Sequence, residues 1–290
     1  MYFPVAGIEV APIWPLACAF GISFFCSMSG ISGAFLLLPY QMSFLHYILP
    51  GVSATNQIFN IIACPGGVWR YAREGRLLMP LALIIAIGTV PGVFMGAILR
   101  LTLLASTGRF MLFVAMAMYY LGFRILLQKP RKTAGNGICI VKESSWREFS
   151  FEFNGRTYSV ASLPLLMLSL IVGLIGGIYG IGGGAIMVPF LVSFFGLPVY
   201  AVAGASLLAT FITSIAGTGF YTLLAWLCNY PWAAPDWMLG LLLGIGGLAG
   251  MYSGAAMQKY MPPHILRFIL LLIIFFTATF YLLKATGIYG

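Results

Sequence analysis

Two glycine-rich runs hold the groups in this chain best suited to binding chemistry, SGISGA at Ser29–Ala34 and YGIGGGA at Tyr179–Ala185. Glycines this dense break a helix. Inside an apolar stretch, a broken helix leaves backbone N–H groups without intrahelical partners, so they must face protein, water or a ligand. Helices restarting near Ala34 and Ala185 would aim their N-terminal N–H groups, with the positive end of the helix dipole, at the break. That arrangement binds an anion without a buried lysine. The expected substrate-binding residues are Ser29, Gly30, Ser32 and Gly33 in the first run, with two serine hydroxyls as extra donors, and Tyr179, Gly180, Gly182, Gly183 and Gly184 in the second. Thr55, Asn56 and Ser206, polar residues in apolar surroundings, join them. Gln57, Asn60, Thr210, Thr213 and Ser214 belong to the same polar set, for which helix-to-helix hydrogen bonding and substrate contact both stay open. A valine at Gly183 is expected to fill the site while leaving membrane insertion intact.

Other chemistries find little support. No Asp or Glu falls inside an apolar run: Glu9, Glu74, Glu143, Glu148, Glu152 and Asp236 all lie near ends or in loops, which argues against a carboxylate proton relay or a midplane cation site. Cys18, Cys26, Cys64, Cys139 and Cys228 are scattered, with no C-x-x-C pair or neighbouring histidine, so neither a disulfide framework nor a metal site is expected. No serine, histidine and acid set or H-E-x-x-H is present; an enzyme, a catalytic residue and a cofactor are not expected. A nucleotide fingerprint fits poorly, because no strand precedes Gly180 and no acid follows at the required distance. His46 reads as interfacial. Arg109 and Arg267 read as snorkelling helix-end residues, with a gating or anion-attracting role as the alternative.

The elements that position the glycine runs come from a duplication. Gly30, Ile31, Gly33 and Pro39 recur as Gly180, Ile181, Gly183 and Pro189; Ala54–Thr55 meets Ala205–Ser206; Gly88, Gly92, Gly96, Arg109 and Phe110 meet Gly246, Gly250, Gly254, Arg267 and Phe268. Glycines four apart lie on one helix face and are expected to pack helices. With 61% hydrophobic and 7% charged residues, the chain has far more apolar surface than a soluble core absorbs. The net charge of +9 sits in loops between apolar runs, so it reads as a topology signal rather than a nucleic-acid surface.

Each half divides into five apolar segments, at 13–29, 31–49, 51–69, 79–99 and 106–127, then 160–178, 184–197, 199–228, 237–257 and 264–284. The expected fold is an all-α polytopic membrane protein of two inverted-topology repeats, each a glycine-broken hairpin plus three spanning helices. Residues 1–127 form the first repeat, 128–159 a cytoplasmic linker and 160–290 the second repeat. The loop with Arg70, Arg73 and Arg76 and the basic linker are both expected in the cytoplasm. The loop around Tyr230 to Asp236 lacks Lys and Arg, which flips the sidedness of the second half. Within the linker, EFSFEF-NG-RTYSV alternates apolar and polar residues around Asn154–Gly155, a type I′ turn pair, and predicts a β-hairpin. Expected partners are the lipid bilayer and a small anion, not nucleic acid; a homodimer stays open.

The two glycine breaks followed by an apolar run and a proline, the A-[ST] pairs and the duplicated layout resemble the TauE/SafE family of sulfite and organosulfonate transporters. The likeness is most specific at Gly180 to Pro189 and Ala203 to Ser206. The first run, SGISGA, has fewer glycines than the second. The resemblance implies an inner-membrane carrier for sulfite, sulfoacetate or related sulfonates; the residues by themselves point to a small anion and not to sulfur. An anion channel on the same duplication is the alternative.

Overall fold

Polar side chains are buried among apolar ones inside this protein, and large apolar side chains cover the outside. Ser23, Gln41, Asn56, Gln57, Asn60, Thr89, Arg100, Ser206, Thr210 and Ser214 are fully buried, whereas Leu83, Ile87, Met95, Met116, Phe123, Ile171, Leu241 and Phe276 stand exposed. That inversion suits a bilayer, where an apolar exterior faces lipid and polar groups must find partners within the protein. The structure, a computed structural model, describes residues 1–28, 30–127, 138–144, 148–258, 260–261 and 263–286. Ser29, the basic stretch 128–137, Trp146, Arg147 and Lys259 lie outside the described residues, as does the side chain of Arg267.

The first half contains α1 (Ile13–Met28), α2 (Ala34–Ser43), α3 (Gly51–Arg73), α4 (Met79–Leu101) and α5 (Thr107–Leu127). The second contains α6 (Ser162–Tyr179), α7 (Met187–Phe194), α8 (Val199–Leu227), α9 (Trp237–Met257) and α10 (Pro263–Ala285). Five stretches among the described residues are long and apolar enough to cross a membrane: Met79–Leu101, Thr107–Leu127, Ser162–Tyr179, Val199–Leu227 and Pro231–Met257. α3 matches α4 in length but is not among them, because Asn56, Gln57 and Asn60 lower its hydropathy. The second helix resumes at Ala34 in the first half as expected. In the second half it resumes at Met187 rather than near Ala185, since Gly183–Ile186 form turns.

The halves are interlocked. α4 runs along α6 while α9 runs along α1; α3 packs on α9 and α8 on α4; α3 meets α8, and α5 meets α10. Exchanging the halves therefore maps the main contacts onto themselves. Glycine explains how closely the helices approach. A β-carbon on Gly92 would collide with Leu170 O and one on Gly96 with Leu174 O; on the other pair, Gly246, Gly250 and Gly254 face Leu16 O, Phe20 O and Phe24 O. The packing role expected for these glycines is what the contacts show, with each half's fourth helix pressed on the other half's first.

Strands occur only outside the helical body among the described residues. β1 (Tyr2–Phe3) pairs with β2 (Ile8–Glu9) near the N-terminus. In the linker, β4 (Glu148–Phe153) and β5 (Arg156–Ala161) form the expected hairpin, Asn154 and Gly155 both taking positive φ at its turn. A third strand, β3 (Ile140–Ser144), was not expected and pairs with the other edge of β4. Phe149, Phe151 and Phe153 are fully buried on one face of this sheet. The linker also touches the α3–α4 loop, Cys139 N–H donating to Gly75 O at 3.0 Å, so the described start of β3 and this loop share one face of the protein.

Candidate functional site

Both glycine breaks begin as the same helix stop. Gly30 and Gly180 take left-handed backbone conformations, φ 71° and 78°, which glycine adopts without a steric penalty. The next N–H then reaches back to the helix, Ile31 N to Cys26 O at 3.2 Å and Ile181 N to Gly176 O at 3.0 Å, as in a Schellman cap. Each break rests on the third helix of the opposite half: a β-carbon on Gly30 would lie 2.7 Å from Ala203 Cβ of α8, and one on Gly180 would collide with the Ser53 backbone of α3.

Asn60, near the middle of α3, joins the two breaks. Its Nδ2 donates to Ile181 O at 2.8 Å while its Oδ1 accepts from the Ser32 hydroxyl, so one amide spans first and second runs. Cys64, one turn further along α3, lies with its Sγ 3.8 Å from the same Oδ1. Asn60 was visible in the sequence as one of several intramembrane amides. Its bridging position was not, because its partners lie 28 and 121 residues away.

Next to this bridge, α3 and α8 present facing polar stripes. Ser53, Asn56, Gln57, Asn60 and Cys64 follow helical spacing on α3; Ser206, Thr210, Thr213, Ser214 and Thr218 do so on α8. A β-carbon on Gly182 would lie 2.7 Å from Ser214 Oγ, and one on Gly217 would lie 2.8 Å from Gln57 Nε2. A single turn of α8 therefore sets Ser214 against the second break and Gly217 against the Gln57 amide. Gly183 N–H donates to Thr213 Oγ1 at 3.1 Å.

Several of these groups have no hydrogen-bond partner despite burial: both amide atoms of Gln57 and the hydroxyls of Ser206, Ser214 and Thr218. A buried polar group left unsatisfied costs about 1–3 kcal/mol. Native structures tolerate few such groups, and Gln57 and Ser214, which lie against Gly217 and Gly182, mark a place suited to binding a polar ligand.

The other expected site residues have distinct surroundings. Asn56 is occupied, Nδ2 donating to Ala34 O at 2.9 Å and Oδ1 accepting from Gln41 Nε2 at 3.2 Å, so it secures the first turn of α2. Thr55 Oγ1 accepts from Asp236 N at 2.8 Å and lies 3.2 Å from Tyr47 Oη, at the end of α3 away from the bridge. Tyr179 donates to Phe35 O at 2.9 Å and stacks on the Phe35 ring; beside it lies an apolar cavity also lined by Tyr120, Ile181 and Phe190. Gly33 packs on Ser23 of α1, Gly184 on the Ser206 carbonyl and Thr210 of α8, and Ser29 is outside the described residues.

Gly183 corrects an expectation. A β-carbon there would collide with the Thr89 side chain of α4. Valine at Gly183 therefore disturbs helix packing as well as any site, and cannot separate binding from folding.

Arg100 directly follows the apolar segment 79–99. By sequence it belongs to a loop beside Arg109. In the structure Arg109 is exposed and bonded to Ser106 Oγ, but Arg100 is completely buried, with its guanidinium 3.7 Å from the centre of the Phe110 ring. The sequence signal for this inward turn is weak: Arg100 lies four residues beyond Gly96, on the glycine face of α4. Asp236 is also buried, but as a helix cap, its carboxylate accepting from Leu239, Val5 and Ala6 N–H groups. Among the described residues no cluster of His, Cys, Asp and Glu could hold a metal ion.

Comparison with known proteins agrees with this architecture. Residues 16–281 match the family model described as "Sulfite exporter TauE/SafE". The "Probable membrane transporter protein YunE" of Bacillus subtilis (strain 168) is 24% identical over 261 residues, covering 85% of this chain and 90% of the relative. No solved structure matches the chain.

Proposed function

The chain belongs to the sulfite exporter TauE/SafE family of membrane transporters, and from that premise we propose that it moves a small sulfur-containing anion, sulfite or an organosulfonate such as sulfoacetate, across the cytoplasmic membrane by alternating access. The observation that carries this reading is the junction at Asn60, which bonds to both glycine runs, with the unpartnered Gln57 amide one turn away on α3 and the unpartnered Ser214 hydroxyl against Gly182. Neutral amide and hydroxyl donors recognise sulfonate oxygens by hydrogen bonds. The breaks at Ser32–Gly33 and Gly182–Gly184 add backbone dipoles without a carboxylate that would repel the anion.

The two halves, 1–127 and 160–290, are read as inverted repeats that rock about this junction, with residues 128–159 as the cytoplasmic linker. Supporting this, α1 ends beside Tyr71, whose hydroxyl donates to Ser27 O at 3.0 Å, while α6 ends beside Ser53, whose hydroxyl donates to Ile178 O at 3.2 Å. Tyr71 and Ser53 stand at opposite ends of α3, so the two breaks are approached from opposite directions.

Cys228, exposed just after α8, reports on sidedness. Burial pushes the Cys139 thiol up to about 11, with Arg76 pulling the other way, so it stays protonated and slow to alkylate at neutral pH. With Cys18 and Cys139 replaced by serine, a membrane-impermeant maleimide should label Cys228 from outside the cell. Labelling from the cytoplasmic face alone would contradict the inverted arrangement.

Substrate class is tested by ligand-induced thermal stabilisation of the purified protein with sulfite, sulfoacetate, taurine, sulfate, acetate and phosphate. Stabilisation selective for sulfite or a sulfonate is expected. Equal stabilisation by acetate or phosphate would sink the sulfur assignment while leaving an anion carrier.

A further inference from the structure

A buried cation without a counter-ion lies one residue away from the second break. Arg100 sits in the last turn of α4 with no exposed surface, and its Nη2 has no hydrogen-bond partner. Its Nη1 donates to Leu104 O, and its Nε reaches the Ser53 hydroxyl at 3.4 Å. Ser53 in turn donates to Ile178 O and presses its backbone on Gly180. A chain of direct contacts thus runs from the guanidinium to the break.

No carboxylate among the described residues pairs with Arg100. Asp236, the acid buried at this end of the protein, is committed to the N–H groups of Val5, Ala6 and Leu239. Ser53 also belongs to the first turn of α3, so the positive end of that helix dipole adds to the guanidinium charge. The α4 carbonyls and the Phe110 face offset part of this charge, but a buried arginine is usually paired.

The opposite end of the protein shows the contrast. Arg76 is also buried, but Glu74 pairs with it and Gln258 Oε1 accepts from it at 2.9 Å. Gln258 follows Gly254 by four residues as Arg100 follows Gly96, so the matching position in the second half is neutral, its Nε2 donating to Met28 O at 2.8 Å. At this matched pair of positions the cation stands at the α6 end and the neutral amide at the α1 end.

We infer that Arg100 is a substrate-binding residue, one that receives a small oxyanion on its free guanidinium edge before the anion passes to the Asn60 junction. This inference rests on the proposed anion-carrier reading and adds to it the residue that meets the substrate's charge. A planar guanidinium presents two parallel N–H donors to a sulfonate or sulfite edge. Because Arg100 has no exposed surface, the segment Thr102–Ser106, tied to it through Leu104 O, must move for an anion to enter.

The test compares wild type, Arg100→Gln and Arg100→Lys in lipid nanodiscs, following melting temperature against methanesulfonate and sulfite, with zwitterionic taurine as a second probe. Wild type should be stabilised by both anions. Unliganded Arg100→Gln should melt no lower than wild type, because a neutral side chain removes an unpaired buried charge. It should also need at least about tenfold more anion for the same stabilisation, as expected from losing a charge-assisted pair. Arg100→Lys should fall between the two.

An Arg100→Gln protein stabilised at wild-type anion concentrations overturns the inference and leaves the carrier reading standing. One that melts well below wild type without ligand marks Arg100 as a structural anchor for Leu104 and also overturns it. If Arg100→Gln does not fold, Arg100→Lys decides: stabilisation retained supports the assignment, and a folded lysine variant with none refutes it. Wild type that responds to no anion removes both readings together.

Discussion

Asn60→Leu in proteoliposomes is expected to lose substrate uptake by at least about 30-fold, the equivalent of about 2 kcal/mol for an unsatisfied buried polar group, while the protein stays monodisperse. Leucine keeps the volume of α3 at this point but cannot donate to Ile181 O or accept from Ser32. Both breaks then lose the side chain that holds them together. The flanking contacts of α3 with α8 and α9 are untouched, which is why assembly should survive. Uptake within threefold of wild type would show that the junction is not where substrate passes. Gln57 and Ser214 lie beside the bridge but make none of its bonds, so changes there should weaken uptake less steeply.

Gly250→Val should fail at an earlier stage, giving little or no folded protein. A β-carbon at Gly250 would collide with Phe20 O and lie 3.0 Å from Ser23 Cβ, and neither neighbour can swing away because both belong to the α1 helix. Adding one or two methylenes to a well-packed core costs about 1–3 kcal/mol. Here the clash is with backbone, so α1 and α9 must separate along their length. The first break hangs from the end of α1, and separation would displace it as well. Size-exclusion chromatography of the solubilised variant is the check: a wild-type elution profile at wild-type yield would mean that close α1–α9 contact is dispensable. Gly108, exposed at the start of α5 with nothing near its β position, is the matched control and should accept alanine.

These two substitutions also show how far the sequence could be read. Helix positions were legible because apolar runs separated by Arg, Pro and Gly leave few alternatives in a bilayer; α9 occupies 237–257 as expected, and α4 and α5 end within two residues of expectation. The packing glycines were legible from their four-residue spacing. The partners of those glycines were not: nothing local indicates that Gly92 meets α6 or that Gly250 meets α1. Strand β3 escaped notice because Ile140–Ser144 carries Lys142 and Glu143 and lacks clear alternation. The outline of the candidate site was visible in the two glycine runs, where Gly30 and Gly180 do end their helices identically. Its interior was less so, because Asn56, Gln57 and Asn60 look alike in sequence. Tertiary partners separate them into a helix anchor, an unpartnered amide and a bridge. Arg100 was the hardest to read, since a basic residue at the end of an apolar run ordinarily snorkels to the surface.

The most direct test of the central claim is counterflow by the wild-type protein in proteoliposomes. Vesicles preloaded with unlabelled sulfite or sulfoacetate should accumulate labelled substrate transiently above its outside concentration, with an initial rate that saturates. That behaviour requires a site exposed alternately to the two sides. Flux that rises linearly with concentration and shows no overshoot would contradict the carrier and indicate an open pore through the same bundle.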